Sequence, residues 1–176
     1  MKEKLNIRLL EKEDATELHN LIELNRKRLE RYFPITVSQN SSLQASTIYV
    51  SKKVKQAEQK ELYFFVILFN KKIAGGIILK NIDWRIPKGE LAYFIGGEWE
   101  GKRIMSQAMD RAMSYLFNEL GLNKLFIKCS PKNIPSRRLA VKKGFKLEGL
   151  LRQEFRIETG EVEDIEYYGK LKVETR

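Results

Sequence analysis

The sequence has 176 residues, 43% of them apolar, which is enough for a buried core, so we expect a single domain over residues 1–176. Lys and Arg number 33 against 23 Asp and Glu, and the resulting charge of +10 is spread along the chain, which favours solvated basic surfaces over attraction to an anionic partner such as RNA. Nothing resembles a signal core or a run of about 18 apolar residues, so we expect a cytoplasmic protein that does not span a membrane.

Two residue types limit the chemistry. Cys129 is the only cysteine and lies in an apolar run, which excludes an internal disulfide framework and predicts a buried small side chain rather than a nucleophile. His19 is the only histidine, so we expect neither a zinc site nor a Ser-His-Asp triad. The sequence therefore predicts no metal cofactor.

The first third of the chain predicts a strand and two helices. Leu5 to Leu10 alternates weakly between apolar and polar residues and is predicted to be a strand. Asp14 and Glu17 have the spacing of a capping box, and the apolar positions that follow predict one helix that ends before Pro34. Ser41-Ser42 could cap a second helix, which continues to about residue 58. Its predicted inward residues are Thr47, Ile48, Val54 and Ala57.

Three apolar stretches then predict an antiparallel meander. The predicted strands are Leu62 to Phe69, Ile73 to Asn81 and Glu90 to Ile95. A tight turn at Asn70-Lys71-Lys72 joins the first two strands. Gly75-Gly76 lies inside the second strand and predicts a β-bulge or the close approach of a neighbouring backbone.

The stretch from Glu98 to Met113 combines a Gly-containing turn with the start of a helix. Apolar residues recur at helical spacing from Ile104 to Leu120, and Gly121 fits the position that ends this helix. A strand-to-helix turn points several backbone N–H groups at one place, where the helix dipole adds partial positive charge. Lys102 and Arg103 add two full charges. The turn is therefore predicted to hold a phosphate-bearing ligand.

The remaining residues predict a parallel crossover and a closing hairpin. Lys124 to Cys129 is a predicted strand, so the strand–helix–strand order implies a right-handed parallel connection. Asn133 is predicted to cap a short helix anchored by Leu139 and Val141. The predicted hairpin strands are Phe145 to Arg156 and Val162 to Lys172. The whole order predicts an α/β fold, with α and β elements on one mixed sheet.

Four segments of the chain also follow a known pattern. The pattern begins with a strand, continues with the motif Gln/Arg-x-x-Gly-x-Gly/Ala and a helix, and closes with an Asn-x-x-Ser segment that ends in Gly-Phe. The matching segments are Glu90 to Ile95, Glu100 to Met105, Asn133 to Ser136 and Gly144 to Gly149. In this order they resemble the GNAT superfamily of N-acetyltransferases, and within it the RimJ/RimL-type ribosomal-protein N-terminal acetyltransferases. The resemblance covers almost the whole chain and implies a GNAT-like acyl-CoA N-acyltransferase fold, with an antiparallel meander, a parallel βαβ crossover and a C-terminal hairpin.

The resemblance implies acetyl-coenzyme A as the co-substrate. Its pyrophosphate would contact the turn that begins at Glu100, and its pantetheine arm would lie along the third meander strand, which splays from Lys124 to Cys129 to admit the acetyl group. The residues implied in binding are Phe94, Ile95, Glu100, Gly101, Lys102, Arg103, Ile104, Met105 and Asn133. Two of them depart from the family pattern: Glu100 replaces a Gln or Arg, and Arg103 replaces a Gly but could itself reach the phosphates.

The implied reaction is acetyl transfer to a neutral primary amine. An α-amine has a pKa near 8 and a lysine near 10.4, so at neutral pH the α-amine is easier to deprotonate by about 3 kcal/mol. The N-terminus of a protein, such as a ribosomal protein, is therefore the favoured acceptor. A polyamine, an amine antibiotic and a non-catalytic GNAT-like binding role remain open, as do ribosome association and a homodimer, whereas DNA and membrane partners are not expected.

Two catalytic residues are implied by the same resemblance. The tyrosine that many GNAT enzymes use as general acid is absent, since Ala140 stands at its position. Ser136, in the Asn-x-x-Ser segment, matches the proposed general acid of RimL-type enzymes. The alternative for Ser136 is a helix-capping residue. Glu154 is the nearest match to a base early in the closing hairpin, but a register shift of one residue would turn its carboxylate away and leave it on the surface.

Overall fold

The computed structural model describes residues 5–175 and places seven strands in one sheet. The strands are β1 (Leu5–Leu9), β2 (Tyr63–Phe69), β3 (Lys72–Asp83), β4 (Lys88–Ile95), β5 (Lys124–Cys129), β6 (Lys146–Arg156) and β7 (Val162–Leu171). Their order is β1-β2-β3-β4-β5-β7-β6. Every neighbouring pair is antiparallel except β4 and β5, which are parallel. The predicted meander, crossover and hairpin on a mixed sheet are therefore confirmed.

Helices cover both faces of this sheet. They are α1 (Ala15–Leu24), α2 (Arg26–Glu30), α3 (Pro34–Ser38), α4 (Leu43–Glu58), α5 (Ile104–Asn118) and α6 (Ile134–Lys142), with short 3-10 turns at Lys12–Asp14, Gly97–Trp99 and Lys172–Glu174. One buried core lies under α1 to α4, and the other lies under α5 and α6. Within residues 5–175, no helix combines the length and apolar character that crossing a membrane requires.

The helix α5 shows how the sequence pattern becomes packing. Its buried residues, Ile104, Ala108, Met109, Ala112, Met113, Leu116 and Phe117, form one apolar stripe against the sheet. Burying a stripe of this kind removes apolar surface from water at a gain of about 25 cal/mol per Å². The methionines therefore belong to the core, and Cys129 is buried there as predicted.

The predicted N-terminal helix is broken, contrary to expectation. Asn25 interrupts it with φ −114° and ψ 10°, which separates α1 from α2. Its side-chain amide donates to the carbonyl of Leu21 at 2.9 Å, and its side-chain oxygen accepts from the amide of Gly97 at 2.8 Å. The chain then continues into α3, which begins at Pro34. The break follows from a tertiary hydrogen bond, which periodicity does not reveal.

The predicted capping box at the start of α1 was also wrong. Asp14 makes no side-chain cap to α1 and instead binds the guanidinium of Arg8 through two 2.7 Å hydrogen bonds. Glu17 accepts from the amide of Ile73 at 2.7 Å, which ties α1 to the sheet. In contrast, the predicted cap of α4 is confirmed, because Ser42 accepts from the amide of Ala45 at 3.1 Å.

Some predicted inward residues face solvent. Ile48 is 65% exposed and Thr47 is also exposed, because α4 turns Tyr49 and Val50 to the core instead. Val141 is 62% exposed and does not anchor α6. The residues that pack beneath α6 are Leu139, which is partly buried, and Ala140, which is fully buried.

Candidate active site

The strands β4 and β5 separate after a short parallel contact. They pair only where Lys88–Glu90 lies beside Lys124–Phe126. Beyond Glu90 the two strands diverge, so the edge of β4 that faces β5 is left without a strand partner from Leu91 to Ile95. An extended ligand can hydrogen-bond to an open strand edge of this kind. The predicted splay is confirmed.

A cleft of about 1210 Å³ passes through this gap. Ten residues predicted for the site line it: Phe94, Ile95, Glu100, Gly101, Arg103, Ile104, Met105, Asn133, Ser136 and Glu154. Lys102 is not among the lining residues, and its ammonium lies over the ring of Trp99, 5.1 Å from the ring centre. The fold therefore brings four separate parts of the chain to one cleft, while the side chain of Lys102 lies apart.

The turn before α5 exposes the start of the helix. Gly101 and Arg103 both have left-handed backbone conformations, with φ of +72° and +60°. Arg103 is the residue that precedes α5, and no side chain caps the helix there. A Cβ at Gly101 would meet nothing within 4 Å, so the turn is open. Uncapped N–H groups with the positive end of the helix dipole suit an anion.

The carboxylate of Glu100 is bound by Arg28, which lies on α2. Arg28 also donates to the side-chain oxygen of Asn25 at 2.9 Å, and the same oxygen accepts from Gly97. These contacts tie the start of α2 to the turn before α5. They also place the guanidinium of Arg28 next to the carboxylate of Glu100, so an anion at the start of α5 would not face an unpaired negative charge.

Ser136 lies in the first turn of α6, where Asn133 caps the helix as predicted. The side-chain oxygen of Asn133 accepts from the amide of Ser136 at 3.3 Å. The hydroxyl of Ser136 lies 2.9 Å from the phenol oxygen of Tyr93 on β4. Burial raises the pKa of Tyr93 above its ordinary value, and the hydrogen bond with Ser136 opposes this only in part. Two neutral hydroxyl groups therefore meet at the cleft.

Glu154 lies on β6 beside a break in the strand register. The register between β6 and β7 shifts between Leu151 and Phe155, and Gln153 within this segment has a φ of +52°. The carboxylate of Glu154 lies 3.2 Å from the ammonium of Lys128 and its side chain is 45% exposed. The bulge decides which side Glu154 faces, and turn spacing alone could not place it.

Glu163 is a buried carboxylate that the sequence did not single out. It accepts hydrogen bonds from Ser130 at 2.6 Å and Arg31 at 2.8 Å, and its carboxylate lies 3.1 Å from the ammonium of Lys132. The hydrogen bond from Ser130, with Lys132 and Arg31, lowers the pKa of Glu163. The contact with Arg31, the residue after α2, ties this part of the chain to β7 of the hairpin. Since Arg31 and Glu163 are 132 residues apart, no local pattern signals the pair.

Among the charged residues that line the cleft, basic side chains outnumber acidic ones. The cationic lining residues are Lys27, Arg28, Arg31, Lys80, Arg103, Lys128, Lys132, Arg138 and Lys142. The three carboxylates that line it, Glu90, Glu100 and Glu154, each pair with a cation, namely Lys80, Arg28 and Lys128. In the part of the chain that the structure describes, no group of His, Cys, Asp or Glu residues could hold a metal ion.

Comparisons with known proteins match most of the chain to a known family. A family model described as an acetyltransferase (GNAT) domain matches residues 4–146. The putative ribosomal N-acetyltransferase YdaF of Bacillus subtilis is 31% identical over 172 residues, which cover 98% of this chain and 93% of that protein. The spermidine N(1)-acetyltransferase of Escherichia coli K12 is 29% identical over 151 residues, or 86% of this chain and 77% of that protein.

A solved structure supports the fold. RimL, a ribosomal L7/L12 α-N-protein acetyltransferase in complex with coenzyme A, superposes with a TM-score of 0.88 at 21% identity. The superposition covers 95% of this chain and 93% of that chain. At this identity the likeness concerns the fold alone.

Proposed function

The chain belongs to the GNAT acetyltransferase family, and from this premise we propose that it transfers an acetyl group from acetyl-CoA to the N-terminal α-amine of a protein, with ribosomal proteins as the first candidates. The observation that carries the choice of acceptor is the cationic cleft, in which every lining carboxylate is already paired. The relatives include enzymes named for ribosomal proteins and for spermidine, so charge must discriminate between these acceptors.

The residues of the cleft suit acetyl-CoA. The uncapped start of α5 and the open turn at Gly101 would hold the pyrophosphate, and the guanidinium of Arg103 would add charge there. The free edge of β4 at Phe94 and Ile95 would hold the pantetheine arm, with Asn133 on the opposite side. Lys102 would contribute through its backbone amide. Acetyl-CoA supplies the activated acetyl group.

Charge favours an α-amine over a polyamine. A polyamine carries several positive charges and needs unpaired carboxylates, whereas all three carboxylates that line this cleft are paired. Five of the nine lining cations are paired as well, and within residues 5–175 the four without a carboxylate partner are Lys27, Arg103, Arg138 and Lys142. An α-amine carries one charge and loses it before it attacks. Cationic surroundings lower the pKa of an ammonium group, because they disfavour its charged form. The cleft therefore assists the deprotonation of a single amine and repels a polycation.

Two lining residues can move the protons of the reaction. Ser136 would donate a proton to the sulfur as the thiol leaves, and Glu154 would accept the proton that the amine loses, with solvent in contact with its 45% exposed side chain. The two residues lie on different walls, Ser136 on α6 and Glu154 on β6. A proton donor and a proton acceptor on separate walls allow both proton transfers to take place in one cleft.

The proposal is tested with purified protein, acetyl-CoA and a panel of N-terminal peptides and polyamines, by following thiol release and by mass spectrometry of the products. We expect acetylation of peptides at the α-amine, and no product from the same peptides with a blocked α-amine. A higher kcat/KM for spermidine than for every peptide would contradict the acceptor. A calorimetric titration that shows no acetyl-CoA binding would contradict the co-substrate.

A further inference from the structure

Tyr93 is a cleft residue to which the proposed reaction assigns no role. It lies on β4, and its phenol oxygen reaches α6, 2.9 Å from the side-chain oxygen of Ser136. The backbone carbonyl of Ser136 lies farther from the phenol oxygen, at 3.3 Å, and is the competing acceptor for the single phenol proton. Tyr93 lines the cleft while its ring packs against the buried core beneath α5 and α6. The ring is therefore held in place, with its hydroxyl at the reacting end of α6.

The direction of the hydrogen bond between the two hydroxyl groups decides what Ser136 can do. A serine hydroxyl has one proton to donate and two lone pairs that accept. If Ser136 donates to Tyr93, its single proton is committed and cannot reach a leaving group. If Tyr93 donates to Ser136, the proton of Ser136 is free to point into the cleft. Ser136 can therefore act as a general acid only in the second arrangement, in which Tyr93 is the donor.

Two features keep the proton of Ser136 available. Burial raises the pKa of Tyr93, so the phenol stays protonated and remains a donor through the neutral pH range. Burial also raises the pKa of the neighbouring Cys129 thiol to about 11, against a hydrogen bond with Ser136 that lowers it, so Cys129 is a neutral thiol and only a weak acceptor for the Ser136 proton. Neither neighbour is a charged acceptor, so neither holds the Ser136 proton strongly and it can point into the cleft.

We propose that Tyr93 is a positioning residue for proton delivery: its phenol donates to the side-chain oxygen of Ser136, directs the Ser136 proton at the departing sulfur and stabilises the negative charge that develops on the serine oxygen. The inference rests on the proposed function. In the step, the amine nitrogen bonds to the acetyl carbon, the carbon–sulfur bond breaks and its electron pair goes to sulfur. The sulfur takes the proton of Ser136, which solvent in the cleft restores, and the amine proton leaves through Glu154.

This arrangement places a phenol beside the first turn of α6 from a different part of the chain. The position at which many GNAT enzymes carry a tyrosine is Ala140, which is fully buried. Tyr93 comes instead from the strand proposed to carry the pantetheine arm. Because Tyr93 acts on Ser136 rather than on the substrate, its loss should matter only while Ser136 is present.

The test is a double-mutant cycle of Tyr93→Phe and Ser136→Ala, with Tyr115→Phe as the control, since Tyr115 lies on α5 and contacts Phe65. We expect Tyr93→Phe to lower kcat about tenfold with the KM for acetyl-CoA within about twofold. The double variant should be no slower than Ser136→Ala alone, because the two residues act as a unit. Tyr115→Phe should retain the wild-type kcat.

Each other outcome overturns the inference. An unchanged kcat in Tyr93→Phe shows that the phenol has no role, and multiplied losses in the double variant show that it does not act through Ser136. If Tyr93→Phe unfolds, the tyrosines are replaced by 3-fluorotyrosine, which makes the phenol a stronger hydrogen-bond donor without changing its shape. A change in kcat of equal size with and without Ser136→Ala then overturns the inference. If the wild type acetylates no acceptor, the proposed function fails. If the wild type is active and Tyr93→Phe has the same kcat, the inference fails while the proposed function stands.

Discussion

Arg28 and Glu100 form an ion pair between α2 and the turn before α5, although 72 residues separate them in the sequence. Both side chains are partly exposed, at 44% and 55%. Glu100 departs from the Gln or Arg of the sequence pattern that the chain resembles, and it lies next to the proposed pyrophosphate site. Its partner supplies the positive charge that this position lacks. The pair therefore explains how a carboxylate can occupy the turn.

Removal of Arg28 should weaken the binding of acetyl-CoA. Arg28→Ala leaves the carboxylate of Glu100 unpaired beside the anion, and an exposed pair is worth up to about 1 kcal/mol, so we expect a loss of about two- to fivefold in affinity. Addition of Glu100→Gln should restore the affinity. Calorimetry at two salt concentrations measures both effects. Arg26→Ala is the control because Arg26 pairs with Glu23 instead, and an equal loss in that variant would contradict the role of Arg28.

Arg103 should contribute to cofactor binding through its side chain. In Arg103→Gly, relief of the left-handed conformation, about 1 kcal/mol, is offset by the extra freedom of glycine in the unfolded chain. We therefore expect little change in melting temperature and a loss of roughly three- to tenfold in acetyl-CoA affinity. Lys102→Ala is the control, since the side chain of Lys102 lies over Trp99. A larger loss of acetyl-CoA affinity in Lys102→Ala than in Arg103→Gly would show that Lys102, and not Arg103, contributes its side chain to binding.

Local patterns predicted most elements of this fold. The apolar stripe of α5 and the cap at Ser42 depend on neighbouring residues, so their sequence patterns contain the information needed. The buried strand β2 is predictable for the same reason, because its run of apolar residues matches burial on both faces. The resemblance to the family then ordered the pieces around one cleft.

The features that could not be predicted depend on residues far apart in the chain. Asn25 breaks a helix because Gly97 donates to it, and Tyr93 meets Ser136 across 43 positions. The exposure of Val141 follows from how α6 lies against the sheet, which its helical spacing does not specify. Glu154 was uncertain because a bulge in β6, absent from any local pattern, sets its direction.

Neutralisation of Asp14 should lower stability at neutral pH. Burial raises the pKa of Asp14, but hydrogen bonds from Arg8 and from the Glu11 amide outweigh burial and leave the pKa below its ordinary value. Since the folded pKa is lowered, the stabilisation is present above about pH 4 and is lost as the pH falls through the folded pKa. We expect Asp14→Asn to cost about 2 kcal/mol at pH 7, or about 4 to 8 °C in melting temperature.

Thermal denaturation between pH 7 and pH 3 measures this effect. The difference between the wild type and Asp14→Asn should shrink as the pH falls toward 3. Asp110→Asn is the control, because the side chain of Asp110 is 58% exposed whereas that of Asp14 is 6% exposed. A difference that stays constant across this pH range would contradict the contribution of the Asp14 carboxylate.

Glu154→Gln should slow acetyl transfer without weakening the binding of acetyl-CoA. The amide keeps the shape of the side chain but cannot accept the amine proton, so we expect kcat to fall about ten- to hundredfold. Glu148→Gln is the matched control on the same strand, since Glu148 pairs with Lys124 and is not among the lining residues. Steady-state kinetics with a peptide acceptor measures kcat for both variants. Equal kcat values would show that Glu154 is not the general base.

Gly75 determines how closely β3 approaches the strand proposed to hold the pantetheine arm. A Cβ at Gly75 would lie 2.3 Å from the carbonyl oxygen of Phe94 and 2.9 Å from the Cα of Ile95, so the two strands would have to separate. We expect Gly75→Ala to lower the free energy of unfolding by about 1 to 3 kcal/mol and to weaken acetyl-CoA binding, because it shifts the backbone at the cleft. Gly149→Ala is the control, since its Cβ would meet nothing within 4 Å. Chemical denaturation and calorimetry measure the two effects, and acetyl-CoA affinity equal to that of Gly149→Ala would show that the position of β4 does not govern binding.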